Sequence, residues 1–409
     1  MAKKTEKQPR KWWQTALLVL LAVILAGGAS FAVWYFCLRE NAGLTEEVSE
    51  SGAEESSEEI VAKTESKEKY YSVLTGLEIT DPGLNNSPVY CVQVPNGTDG
   101  ARPQAGLTHA GVIFEAIAER GITRFAAIFQ NADTGVIGPI RSLRMYYLEW
   151  DTPFDCTITH AGGAADALAA VRSGGYRDLT ENYSYMWRGS TSNNVVARRW
   201  NNLFTSTSDL AQFGTDKGYS SSNMTGFTHM TPDEAVKAKA EKQATNKLDI
   251  DAETEANTDE LVAEVTEITL HYGSMPNYNP VYTYNIETNT YYRGYESGAA
   301  HEVYDCPEGV GEVSPELSCG ETTQLNPSVV IAMMVQESLA SDGYHENITT
   351  IGSGKAYIFQ NGTAIEGTWQ KKSRAEQIKF YDSDGREVAL VPGQAIVSAV
   401  PNYGSVSYK

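Results

Sequence analysis

The longest apolar stretch of the chain runs from Thr15 to Leu38 and holds no charged residue. At about 24 residues it is long enough to cross a hydrocarbon core with some tilt, so residues 12–38 are predicted to form a transmembrane helix. Trp12 and Trp13 at one end, with Trp34 and Tyr35 at the other, match two interfacial aromatic belts. Lys3, Lys4, Lys7, Arg10 and Lys11 come before it. The positive-inside tendency then makes residues 1–11 a cytoplasmic tail and leaves the rest of a single-pass protein outside the cell membrane. The same residues also suit a cleaved signal peptide, with Gly27, Gly28, Ala29 and Ser30 as the small residues. Cleavage there would leave Phe31, Val33, Trp34, Phe36 and Leu38 as a greasy mature terminus, so the anchor is the expectation. A lipid-modified Cys37 is a third route, but Trp34, Tyr35 and Phe36 before it are bulky where a processing site wants small residues. All three routes leave the chain on the same side of the membrane.

Residues 39–72 are rich in Glu, Ser, Ala and Lys with little to bury, which predicts a solvated acidic tether. Folded structure is expected from Val73. Val89 to Val94 reads as a strand closed by Pro95-Asn96-Gly97. Between Gly106 and Arg120 the apolar positions Leu107, Ala110, Val112, Ile113, Ile117 and Ala118 predict a buried helix that Gly121 ends. Thr123–Gln130 and Cys156–His160 read as further strands, Ile140–Trp150 and Ala164–Val171 as further helices. This alternation predicts an α/β domain over 73–231 with a substantially parallel sheet. A charged tract at 232–260 has no sustained apolar face and reads as a linker or insertion. From 261 to 409 the period drops to two, as at Val265, Ile268 and Leu270 and in the tyrosines around 281–292. Asn361-Gly362 and Asp384-Gly385 are hairpin signals, and Val329–Val335 has the composition of a central strand. The expected fold is thus one transmembrane helix, an α/β N-terminal ectodomain and a mostly antiparallel β C-terminal domain.

A formal net charge of −20 changes the picture of possible partners. Such a surface repels nucleic acid and other long polyanions, so an anion must be held at a local, shielded basic site. Of the five cysteines, Cys306 and Cys319 bracket a short loop rich in Pro, Gly and Glu and are candidates for a disulfide. Cys91 and Cys156 lie in apolar runs, either as buried thiols or as a strand-to-strand bridge. The six histidines are scattered with no metal-ligand spacing, so neither a metal site nor a cofactor is expected.

Polar groups collect at the ends of the apolar elements of the first region: Arg102, Glu115, Glu119, Arg124, Arg141, Ser142, Arg144 and His160. On helices, Glu115 and Glu119 would share a face, and so would Arg141 and Arg144. His160-Ala161-Gly162-Gly163 stands where a strand gives way to a helix, the usual place for a ligand in an open α/β sheet. Gly162 and Gly163 there allow backbone N–H groups to converge on an anion. Guanidinium groups match carboxylate or phosphate in a bidentate fork. A pocket for a small anionic or peptidoglycan-derived ligand follows, with Asn201 within reach of it. Three alternatives stand beside it. Glu115 and Glu119 are candidate catalytic carboxylates of an envelope hydrolase; the charges simply pair with one another; or the chain is a non-catalytic partner of a membrane protein complex.

Several of these segments together resemble a known family. Ala101–Leu107, Glu115, Glu119-Arg120-Gly121-Ile122-Thr123-Arg124-Phe125, Gly138-Pro139-Ile140-Arg141-Ser142-Leu143-Arg144, His160–Gly163 and Asn202–Ser206 resemble the N-terminal domain of the YerB-like lipoproteins. Ile351–Lys355, Gly367-Thr368-Trp369, Asp384-Gly385 and Leu390–Gln394 resemble that family's C-terminal domain. The resemblance implies a cell-surface protein of Gram-positive-type bacteria. It implies no activity, because the family is a domain of unknown function. It also implies a lipid-anchored cysteine where this chain carries its apolar run.

Overall fold

The computed structural model describes residues 68–191, 201–254, 263–306, 316–317 and 322–409. Lys67 to Lys409 form one compact unit. Its strands of interest, in chain order, are β1 (Val89–Pro95), β2 (Val112–Glu119), β3 (Ile122–Gln130), β4 (Thr157–His160), β5 (Arg177–Thr180), β6 (Glu267–His271), β7 (Pro280–Asn285), β8 (Thr290–Tyr295), β9 (Val329–Val335), β10 (Gly352–Gln360), β11 (Thr363–Lys371), β12 (Lys379–Tyr381), β13 (Ala395–Pro401) and β14 (Ser405–Tyr408). The α-helices are α1 (Met145–Asp151), α2 (Ala165–Arg172), α3 (Thr207–Asp216) and α4 (Pro232–Thr254).

A ten-stranded mixed sheet in the order β12-β11-β10-β9-β13-β2-β3-β1-β4-β5 spans the unit. It is parallel at β9/β13, β13/β2, β1/β4 and β4/β5, and antiparallel elsewhere. β13, almost the last strand in sequence, lies between β9 and β2, so one sheet joins the first and second halves of this unit. A smaller antiparallel sheet, β8-β7-β6-β14, carries the tyrosine-rich run. Apolar clusters cover both faces of the large sheet, with Val112, Phe114 and Ala116 on one side of β2 and Ile113 and Ile117 on the other.

The expected fold class is corrected here. The unit is mostly β, its helices are few, and the sheet of its first half is mixed instead of substantially parallel. No helix among the described residues is long and apolar enough to cross a membrane, and the 12–38 segment lies outside them. The segment from Gly106 to Arg120, predicted to be a helix, is chiefly β2. Val112 to Ala118 are buried on both faces, and such a strand reads as a continuous apolar run that periodicity cannot tell from a buried helix. What ends it is a hairpin turn: Arg120 and Gly121 have φ of 49° and 78° and lead directly into β3, as in a two-residue type I′ turn. Asn361-Gly362, with φ of 56° and 67°, makes the predicted turn between β10 and β11. The helix predicted from Ile140 begins only at Met145, with Arg144 as its N-cap, so Arg141 and Arg144 do not share a helical face.

The 232–260 tract is helical through Thr254. It starts in a reciprocal capping box. Glu234 accepts from the Thr231 backbone N–H at 2.8 Å, and Thr231 Oγ1 accepts from the Glu234 N–H at 3.3 Å. Cys91 and Cys156 form a disulfide, the second of the two readings open to them. Cys306 is disulfide-bonded as well, while Cys319 lies outside the described residues.

Candidate functional site

The predicted polar residues divide between two places, and β2 decides which goes where. A regular strand would point Glu115 and Glu119 to the same face. A register shift between Ile117 and Glu119 breaks that parity, because one extra residue in a bulge reverses the facing of everything after it. Glu115 therefore shares a side with Thr123, whereas Glu119 shares a side with Arg124.

Glu115 lies in a buried ionic node with no exposed surface. Both its oxygens accept from Arg293 Nη2 at 2.8 Å, and Oε1 also accepts from Thr123 Oγ1 at 2.9 Å. Arg293 in turn donates through Nε to the Tyr282 hydroxyl at 3.2 Å and through Nη1 to His301 Nδ1. His301 Nε2 then donates to Gln104 Oε1 at 2.9 Å, which makes the ring neutral with its proton on Nε2. Burial, with Arg293 and Arg102 nearby, holds the His301 pKa well below the usual histidine value. Burial also works against the charge on Arg293, but Glu115, aided by Tyr295 and Tyr282, outweighs it and keeps the guanidinium charged. Asn96 Oδ1 gathers three donors, from Arg102 Nε at 2.8 Å, Gln104 Nε2 at 3.1 Å and the Tyr295 hydroxyl at 3.0 Å. Arg102 stacks on the Tyr295 ring at 3.8 Å and donates to the Asn277 carbonyl at 2.9 Å. Arg102 thus belongs to this node.

The second place is an open cleft of about 390 Å³ lined by Gly97, Asp99, Glu119, Arg124, Arg141, Ser142, Asn201 and Tyr344, among others. Glu119 bridges two buried guanidinium groups, taking Arg124 Nη2 at 3.2 Å on one oxygen and Arg144 Nη2 on the other. Arg124 also donates to the Ser142 carbonyl, and Arg144 to the Leu143 carbonyl at 3.0 Å. Among the described residues the Nε atoms of both arginines meet no hydrogen-bonding partner. Arg141 donates through Nε to Asn201 Oδ1 at 3.2 Å. Its terminal nitrogens have no hydrogen bond to any described residue. Burial, then the positive charges of Arg188 and Arg124, lower the Arg141 pKa, against a smaller opposing pull from Glu181 and Asp99, so an anion arriving there would offset the repulsion between the guanidinium groups.

His160 is buried, with Nδ1 at 2.8 Å from the Gly162 carbonyl and Nε2 at 3.0 Å from Asp178. Gly162 also accepts from the Leu143 N–H at 3.0 Å. A Cβ on Gly163 would stand 3.0 Å from the Leu143 Cβ. This turn holds the Ile140–Arg144 segment that presents Arg141. Sequence reading missed Arg293, His301, Asn96 and Gln104. Arg293 left a signal in the chain: it occupies the inward phase of the alternation Tyr291, Arg293, Tyr295 in β8, where all three are buried.

Residues 74–220 match the "Protein of unknown function (DUF3048) N-terminal domain" and residues 268–397 the corresponding C-terminal domain. The chain belongs to the DUF3048 family. A relative within reach of this family assignment is the "Putative lipoprotein YerB" of Bacillus subtilis strain 168. It is 26% identical over 351 residues, covering 85% of this chain and 91% of the relative. The crystal structure of the YerB protein from Bacillus subtilis superposes with a TM-score of 0.62 at 24% identity, over 83% of this chain and 100% of that one. That likeness establishes a shared fold. The DUF3048 description carries no activity.

Proposed function

We infer that this DUF3048 protein is a membrane-associated surface protein whose arginine cleft binds a small anionic ligand of the cell envelope. The lipoprotein name of its relative supports the location. One observation carries the binding reading: Arg141 stands in an open cleft, oriented by Asn201, with its terminal nitrogens unengaged by the described residues. Guanidinium groups held in this way suit a carboxylate or phosphate. The net charge of −20 favours a compact anion over a long polyanion, so a muropeptide carboxylate or a sugar phosphate is the class to try first.

Paired-glutamate hydrolysis gains no support from this geometry. Glu115 is wholly buried and bidentate to Arg293, on the opposite side of β2 from Glu119. Thermal shift of the full chain against muropeptides, sugar phosphates and inorganic phosphate tests the reading. A ligand at a hundred times its dissociation constant adds ~2.7 kcal/mol of stability. The expected result is a shift that Arg141→Ala abolishes. A shift that survives in Arg141→Ala, or no shift with any anion, overturns it.

A further inference from the structure

The Cys91–Cys156 disulfide links β1 to the residue preceding β4, and its surroundings are not those of an inert staple. Cys156 lines a separate pocket of about 300 Å³, together with Asp155, Tyr176 and Arg177. Asp151, the last residue of α1, stands beside the bridge. One of its carboxyl oxygens and both sulfur atoms lie within 4.8 Å of one another. Asp151 has no exposed surface. Its Oδ2 accepts from Gln93 Nε2 at 3.2 Å, while its Oδ1 meets no partner among the described residues. A buried carboxylate held by a single amide is poorly compensated, and the physical remedy is to keep its proton.

We propose that Cys91–Cys156 is a redox-active disulfide that exchanges with dithiols, with Asp151 as the proton donor to the departing Cys91 sulfur. An incoming thiolate enters the pocket and attacks Cys156 Sγ, forming a mixed disulfide as the Cys91–Cys156 bond breaks. The electron pair of that bond goes to Cys91. Cys91 is fully buried, and a thiolate there is disfavoured, so the Asp151 carboxyl protonates it as it leaves. The second thiol of the dithiol then attacks its own partner sulfur in the mixed disulfide. It releases the dithiol as its cyclic or bridged disulfide and Cys156 as a thiolate, which takes back from solvent the proton that the first thiol lost on ionising. Two electrons and two protons pass from the dithiol to Cys91 and Cys156, the Asp151 proton being restored from the second thiol. Run backwards, the same steps oxidise a dithiol.

Burial raises the Asp151 pKa well above the usual carboxylate range, and the Gln93 hydrogen bond offsets only part of that. The other titratable groups around the site are Tyr176 and the Asp155–Arg177 pair, bound to each other at 3.1 Å. The test is reduction of the natively folded full chain by dithiothreitol across pH, with each cysteine followed by alkylation and mass spectrometry. This resolves the bridge from that of Cys306. Cys91–Cys156 is expected to be reduced faster than the chain unfolds. At neutral pH Asp151→Asn should slow it tenfold or more. The ratio of wild-type to variant rates should shrink as pH climbs through the Asp151 pKa, a trend the attacking thiol cannot produce because it is common to both. Reduction only at the rate of unfolding, or equal rates in the two proteins, overturns the proposal. A second comparison stands if Asp151→Asn does not fold. In Cys91→Ser, the native Cys156 thiol should react with oxidised glutathione at least tenfold faster than Cys91 does in Cys156→Ser. Equal reactivity of the two would count against the directional mechanism and overturn it.

Discussion

The buried node and the open cleft are made of the same residue types, yet they differ in where their charges lie. In the node, Glu115 takes Arg293 on both carboxylate oxygens, and Thr123, Tyr282 and His301 take further hydrogen bonds of that pair, with Gln104 beyond His301. Beside the cleft, Glu119 serves two buried arginines at once, whose Nε atoms go unmatched among the described residues, and Arg141 in the cleft lining is held through Nε by Asn201. A glutamate beside an arginine therefore says little about function. Location is the discriminating property: an ionic pair with no exposed surface holds the fold, and a guanidinium in the wall of a cleft can meet a ligand.

The node should carry the larger energetic effect. Arg293→Met strands the Glu115 carboxylate in the interior, and removing one member of a buried pair costs ~3–5 kcal/mol, which urea denaturation would read directly. A loss under ~1 kcal/mol would mean that Glu115 re-pairs or neutralises at little cost. Glu119→Gln should come next. It removes the charge that two buried guanidinium groups share, and ~1–3 kcal/mol is the scale for such a loss.

Acid should separate the two regions by slope. His301 keeps a depressed pKa in the fold, so its neutral form contributes stability that is complete above the unfolded value of about 6.5 and is lost as pH falls toward the folded pKa. His229, which burial lowers to about 4, adds a second contribution of the same sign. His301→Asn should thus remove a slope that grows to one proton's worth, ~1.4 kcal/mol per pH unit, as pH falls from about 6.5 toward the folded pKa. An unchanged slope in a pH series of denaturation curves would contradict the neutral histidine. Smallest of all, Arg141→Ala should shift stability by no more than ~0.5 kcal/mol, as befits a half-exposed side chain away from the core. It should nonetheless remove the response to anions. Calorimetric titration alongside denaturation reads both, and a large stability loss would move Arg141 from the cleft's ligand surface into its scaffold.

Much of the strand content was legible. Val89–Val94, Thr123–Gln130, Val329–Val335 and the Asn361-Gly362 hairpin all follow from apolar runs and turn chemistry. The same type of turn at Arg120-Gly121 was not legible, because arginine is not a residue that advertises a positive φ. With that hairpin hidden, the doubly buried β2 passed for a helix. Everything inferred from helical spacing, including the shared face of Glu115 and Glu119, went with it.

By itself the sequence determined the family, the acidic character of the surface, most strand positions and the concentration of arginines and glutamates in the first region. These rest on local composition, period and motif, which a linear chain displays in full. Only the tertiary structure decided that β13 joins the two halves of the unit in one sheet and that a bulge turns Glu119 away from Glu115. It also decided that Arg293 and His301, more than 170 residues along, complete the Glu115 site. The physical reason is common to all three. Register, facing and the pairing of buried charges are set by contacts between segments remote in sequence, and no local pattern encodes which distant partner will satisfy a buried polar atom.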